Sequence, residues 1–245
     1  MNNFQVINSI DHADTTVITQ RGAEYGDAMM SVQTFPFEFR NVQAEYPILF
    51  HKGEQDKYHP VAMLGFEQGE NLLLQNGEWD AAYIPAMIRR EPFMIHYQDG
   101  GADGIDSRMV ALDMDHPRVT GVGGERLFDQ GKRSSYLEEI AGLLEALYEG
   151  AVHVEQFIDA LETHQLIENV TLEVKLNNGS TNQLLGYAAL NEDRIQSLSG
   201  DELAALNNAG FLMPMFMVLA SIAQMRGLID RKNDKVQRAQ DVPAF

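Results

Sequence analysis

The hydrophobic period of this chain changes once, at about Ser134, and that change constrains the fold more than any other feature. Upstream, apolar residues form short runs closed by Gly, Pro and polar turns; downstream they recur at three- and four-residue spacings. The runs at residues 35–39, 46–50, 61–66, 71–74, 93–97 and 109–112 predict roughly six strands. Pro36 and Pro47 suit edges, first positions or bulges of a sheet, since proline lacks the ladder N–H. Glu67-Gln68-Gly69-Glu70 and Asn76-Gly77 are turns, the first joining a hairpin. Residues 81–90 form a short helix or extended chain, bounded by the breakers Pro85 and Pro92.

After the change, Ser135-Tyr136-Leu137-Glu138 fits a capping box, and Leu137, Ile140, Leu143, Leu144 and Leu147 fall on one helical face. Gly150 stands where a C′ glycine belongs, so the first helix is expected to end there and a second to run over residues 154–165. Strands at 170–176 and 183–189 follow around Asn177-Asn178-Gly179, a hairpin signal. Ser199-Gly200-Asp201-Glu202 is a second capping box, opening helix to about Arg231 with a break near Gly210 and Pro214. The expectation is an α+β protein, β-rich in its N-terminal half and followed by helices, a β-hairpin and C-terminal helices. No Pro/Gly/Ser-rich linker divides it, so residues 31–232 read as a single domain, with a loosely ordered arm at 1–30 and a polar tail at 233–245.

Charge then narrows the partners. The chain carries 18 Lys plus Arg against 36 Asp plus Glu, a formal net charge of -18. Nucleic-acid sites neutralise phosphates with basic residues and anionic membranes attract them, so neither partner is expected. With no Cys, thiolate nucleophiles, Cys-ligated zinc and iron–sulfur clusters are excluded. The first 20 residues lack the basic and apolar regions of a signal peptide, which makes cytoplasmic the default location, export by a non-cleaved route being the alternative. The longest apolar stretch, 209–225, carries Pro214, Ser221 and Gln224 and falls short of the ~20 residues a membrane span needs. It reads as a core helix, and its Met213, Met215, Met217 and Met225 also allow a homodimer seam.

Motifs of catalysis and cofactor binding are not legible, so no cofactor, metal or catalytic residue is assigned. Gly131-Lys132 lacks the earlier glycine and the following Ser/Thr of a P-loop, and Gly121-Val122-Gly123-Gly124 does not lead into a helix as a dinucleotide fingerprint would. Asp99, Asp103, Asp106, Asp113, Asp115 and His116 offer hard ligands, but their spacing matches no calcium loop and they read as a solvated acidic surface. His153 and His164 would lie ~16 Å apart on a helix, too far for one metal. The sequons at Asn169 and Asn178 have no secretory signal beside them. The most unusual local composition is at 79–93. There the only Trp, Trp79, stands near Asp80, Tyr83, Arg89 and Arg90, residue types enriched where partners bind. These five form the candidate binding surface; the bland alternative is a core Trp beside structural arginine pairs.

The same segment belongs to a wider pattern. Tyr46-Pro47-Ile48-Leu49-Phe50, His59-Pro60-Val61-Ala62-Met63-Leu64-Gly65, Trp79-Asp80-Ala81-Ala82-Tyr83-Ile84-Pro85-Ala86, Arg89-Arg90-Glu91-Pro92-Phe93, Gly124-Glu125-Arg126-Leu127-Phe128-Asp129 and Gly186-Tyr187 occur in an order that resembles the bacterial SapC family, over roughly residues 39–231. His116 and Glu91 depart from that pattern, standing where a small polar residue and an aromatic are expected. The resemblance implies a protein of about this length, association with a surface layer in one genus, and no assigned reaction. It also implies gene neighbours encoding TonB-dependent receptors and flavin-dependent halogenase-like proteins. Three functions follow: a non-catalytic surface-layer-associated protein; a cytoplasmic accessory protein of a TonB-dependent uptake system that binds a peptide or small molecule; or an uncharacterised enzyme.

Overall fold

A computed structural model describes residues 3–53, 56–75, 77–98 and 107–241. The chain groups into two compact units: Met1–Asp27, Asn76–Glu78 and Ala86–Glu149 form the first, and Ala28–Gln75, Trp79–Pro85 and Gly150–Phe245 the second. The class is α+β, with several small sheets in the N-terminal half and helices after them.

In the first unit, strands Phe93–Gln98 and Ser107–Asp113 pair antiparallel, and Phe4–Val6 adds at the free edge of the latter. Thr16–Val17 is the centre of a second sheet, flanked antiparallel by Val119–Thr120 and Glu125–Arg126. The segment expected to be a loose arm therefore supplies two strands, and Val17 is fully buried. A ribbon of Phe128–Asp129 and Lys132–Arg133 turns at Gln130-Gly131, both residues at positive φ as a tight hairpin requires. Leu137, Ile140 and Leu144, at three- and four-residue spacings on one helix face, pack with Val17, Phe93, Leu112, Leu127 and Phe128 as the core of this unit.

The second unit is built on a five-stranded antiparallel sheet, in the order Ile167–Lys175, Thr181–Leu190, Ile48–Lys52, Tyr58–Met63, Ser31–Gln33. The expected hairpin forms, with Gly179 at φ 84° in its turn. Its apolar partners come from helices: Phe157 meets Phe39 and Phe211 edge-on at 6.0 and 5.7 Å. Ser199 and Glu202 make the expected capping box at the start of helix Gly200–Asn208. That helix ends in a Schellman motif, where Gly210 at φ 80° lets Phe211 N–H reach Leu206 and Gly210 N–H reach Asn207. A new helix, Leu212–Ser221, then starts with Pro214 in its first turn, where the missing N–H costs nothing.

Two helix boundaries differ from the sequence reading. The first is the cap: Ser134 rather than Ser135 accepts the Leu137 N–H, at 3.2 Å, and its hydroxyl donates to the Arg126 carbonyl at 2.6 Å. The second is Gly150, which does not end the helix. Ser135–Thr163 is one helix of 29 residues, closed by a Schellman motif with Gln165 at φ 57°, Gln165 N–H bonding Glu162 and Leu166 N–H bonding Leu161. A Cβ at Gly150 would lie 2.8 Å from the Phe37 ring, so the glycine serves close packing inside the helix.

The C-terminal helix Met225–Asp241 likewise continues well past Arg231. With the turns before it, Leu212–Gln240 is long and apolar enough by length and composition to cross a membrane, and 28% of its most apolar 18-residue window is buried. Within the second unit Met215, Met217, Val218, Ser221 and Leu228 are buried. The Ser221 hydroxyl accepts the Ile48 N–H at 2.8 Å and donates to the Val218 carbonyl at 2.6 Å. Farther along, Lys232 and Lys235 donate to the buried Glu70 carboxylate at 2.9 and 2.8 Å. Burial alone would raise the Glu70 pKa, but these donors, Lys235 before Lys232, hold it below the usual carboxylate value.

Two stability predictions follow from these contacts. Ser134→Ala costs about 1 kcal/mol in urea unfolding and Ser135→Ala clearly less, because only Ser134 holds the cap. Ser221→Ala costs about 1–3 kcal/mol, because the buried Ile48 N–H loses its acceptor.

Candidate functional site

In the first unit, residues from three stretches of chain converge on the N-terminal end of the 29-residue helix. Arg21, Arg89 and Arg118, with Tyr136 and Ser135 from the helix start, line a cleft of ≈ 400 Å³ that Glu91, Glu125 and Glu139 also border. The first N–H groups of a helix have no intrahelical acceptor and carry the positive end of its dipole, so this end of the cleft favours negative charge.

Arg118 sits deepest, at 1% exposure. Its guanidinium donates to the carbonyls of Ile18 at 3.0 Å and Gln20 at 2.5 Å, pairs with Asp27 at 2.7 Å, and lies 4.9 Å from the Tyr25 ring centroid. Its Nε is buried without a hydrogen-bond partner. Asp27 also pairs with Arg21 at 3.5 Å and accepts the Gly22 N–H at 2.9 Å. One buried carboxylate thus faces two guanidinium groups, while Arg89 is paired with Glu139, Glu91 with Arg90, and Glu125 stands at the border of the cleft. Burial lowers the Arg21 pKa, and the Arg118 charge lowers it further against the pull of Asp27.

Tyr136 packs edge-on against Phe93 at 6.0 Å. Burial pushes its phenol up to about 12, although the nearby Arg118 and Arg21 favour the ionised form. Like any phenol it carries its proton at neutral pH, and burial only reinforces this. Arg89 forms a partly exposed pair with Glu139 at 2.8 Å.

The five residues singled out from the sequence are divided between the two units. Arg89 and Arg90 belong to the first unit and hold different carboxylates, Arg90 pairing with Glu91 at 3.0 Å and donating to the Phe93 carbonyl at 2.8 Å. Trp79, Asp80 and Tyr83 belong to the second unit. There Trp79 Nε1 donates to the Tyr46 hydroxyl at 2.8 Å, that hydroxyl donates to the Tyr83 carbonyl, and the Tyr83 hydroxyl donates to Glu38 at 2.8 Å. Asp80 pairs with Arg231 of the C-terminal helix. Trp79 is half-buried and its N–H is satisfied internally.

Sequence reasoning passed over Arg21, Arg118 and Tyr136. The available signal was a helix start at Ser134-Ser135 in a chain with only 18 basic residues; nothing local linked Arg21 to a helix more than a hundred residues later. Of the acidic cluster, Asp99, Asp103 and Asp106 lie outside the described residues, while Asp113 and Asp115 accept hydrogen bonds from Asn3. Among the described residues no group of three or more His, Asp or Glu is placed to hold a metal ion.

The fold and the cleft define an α+β protein with an arginine-lined pocket at a helix N-terminus. A family model described as SapC matches residues 7–228, and the chain belongs to the SapC family. None of the curated proteins and none of the solved structures matches it.

The shared carboxylate generates a prediction. Asp27→Asn leaves two buried guanidinium groups without their counter-charge and lowers stability by about 3–5 kcal/mol, read from the urea midpoint. Glu139→Gln, at the exposed pair, changes it by about 1 kcal/mol or less.

Proposed function

We propose that this SapC-family chain is a non-catalytic binding protein whose first unit holds the carboxylate or phosphate of a small molecule or peptide at the N-terminal end of the long helix. The observation that carries the reading is the pair of guanidinium groups that share one carboxylate at the base of the cleft: Asp27 lies against both Arg21 and Arg118, and an incoming anion gives the more exposed Arg21 an acceptor of its own. Arg21 retains 15% side-chain exposure and offers a planar fork for a bidentate oxyanion, while Arg118 acts from below through its charge. Tyr136 supplies a neutral donor, and the helix end adds its dipole. A volume of ≈ 400 Å³ falls within the small-molecule range. The glutamates at the border restrict the site to small or partly cationic anions and disfavour polyanions such as nucleic acid. Reversible capture of an anionic ligand suits an accessory role in nutrient uptake, the role the family resemblance implies.

Isothermal titration of the full chain with inorganic phosphate and with succinate tests this. Binding of one of them to the parent protein, weakened about tenfold or more in Arg21→Gln and unchanged in Trp79→Phe, supports the cleft. Equal binding by parent and Arg21→Gln, with both folded by circular dichroism, removes it.

A further inference from the structure

The second unit contains a groove of the opposite electrical sense. It holds ≈ 390 Å³ and lies where Leu49 and Leu190 of the central strands meet Val218, Leu219 and Ile222 of the helical stretch that follows Pro214. Leu49 and Val218 are each 1% exposed and Leu190 is buried, so the floor is dry, whereas Ile222 is 37% exposed at the mouth. Glu168, Glu192 and Asp193 stand on the rim, all exposed. Among the described residues no basic side chain lines the groove. The neighbouring Arg194 is turned to Glu202 at 2.5 Å and to the Ser197 hydroxyl at 3.3 Å. Glu168 accepts only a neutral donor in the groove, the Asn191 amide at 2.7 Å.

We infer that this groove is a second binding site, for a small amphiphile with a cationic amine at one end and an apolar aliphatic or aromatic body. Charge complementarity selects the amine, because three carboxylates surround an opening that has no cation of its own. The apolar floor selects the body, because burial of hydrocarbon is the one large favourable term that such a wall offers. The volume fits one small molecule and sits near the lower end of the ~300–1,000 Å³ range for such sites. Asn191 holds the Glu168 carboxylate, and Glu192 and Asp193 project from the first turn of the short helix Glu192–Gln196, so the rim is anchored before a ligand arrives.

Titration of the full chain with phenethylamine, phenethyl alcohol and hydrocinnamate, observed by ligand-detected NMR and calorimetry, tests the site. The expected order is amine, then alcohol about fivefold weaker as suits an exposed ion pair, then the carboxylate weakest. Glu192→Gln with Asp193→Asn should bring amine and alcohol to similar affinity without disturbing the fold. Ile222→Lys, which places a cation at the partly exposed mouth, should abolish the preference for amine. Arg21→Gln, in the other unit, should leave all three affinities unchanged, so failure here and failure of the anion cleft are distinguishable. Equal binding of the three probes overturns the inference, as does a preference for amine that survives both rim variants. Binding of a basic amphipathic peptide but none of the three probes would make the groove a peptide site and also overturn it.

Discussion

A 29-residue helix that does not break at its central glycine is the constraint on which both units depend. Its first half gives Leu137, Ile140 and Leu144 to the core of the first unit, and its second half buries Val154, Phe157, Ile158 and Leu161 in the second. Glycine inside a helix costs about 1 kcal/mol relative to alanine. At Gly150 an alanine methyl would have to displace the Phe37 ring, which stacks on the buried Phe35 at 5.9 Å. Local propensity is overruled there by packing, and the helix ends only where Gln165 takes up left-handed geometry.

The buried charges follow a common logic with different outcomes. In the second unit two lysines meet Glu70, but Lys232 also pairs with Glu67 at 2.9 Å and Lys235 remains 58% exposed, so the charges are matched. In the first unit both cations are withdrawn from water, Arg21 to 15% and Arg118 to 1%, while only Asp27 stands between them. Carbonyl oxygens of Ile18 and Gln20 accept from Arg118 and that of Ile88 from Arg21, spreading the charge over backbone dipoles, while Arg118 Nε is left without a partner. Backbone dipoles satisfy donors without cancelling charge, and the anion-binding reading proposed above rests on that difference.

The fold class was legible because it rests on periodicity, which a single sequence displays. The hairpin at Asn178-Gly179, the Ser199 capping box and the break at Gly210 were legible for the same reason, each being a local rule written within a few residues. What was not legible is what depends on distance along the chain. Arg118 and Asp27 are 91 residues apart, and Thr16–Val17 becomes a central strand only because two later strands close on it. Of the residues that composition singled out, Arg89 lines the cleft. The chain passes from the second unit to the first after Pro85, so Trp79 and Arg90 belong to different units, which nearness in sequence does not reveal.

Trp79 shows why an unusual residue is a poor guide to a site unless its partners are known. Its indole N–H, the Tyr46 hydroxyl, the Tyr83 carbonyl, the Tyr83 hydroxyl and Glu38 form a continuous chain of donors and acceptors, extended by Thr34 donating to the other Glu38 oxygen at 2.8 Å. The direction of every bond in the chain is fixed by its ends, because the indole N–H can only donate and the Tyr83 carbonyl and the Glu38 carboxylate can only accept; burial also raises the Tyr46 phenol above its ordinary value. A polar network with its donors and acceptors matched in this way rigidifies a half-buried surface and leaves little polar capacity for a partner. The cleft around Arg21 has the opposite character, with a buried guanidinium N–H on Arg118 that has no partner. On the anion-binding reading proposed above, unused donor capacity rather than rarity of composition is the better guide to a binding surface.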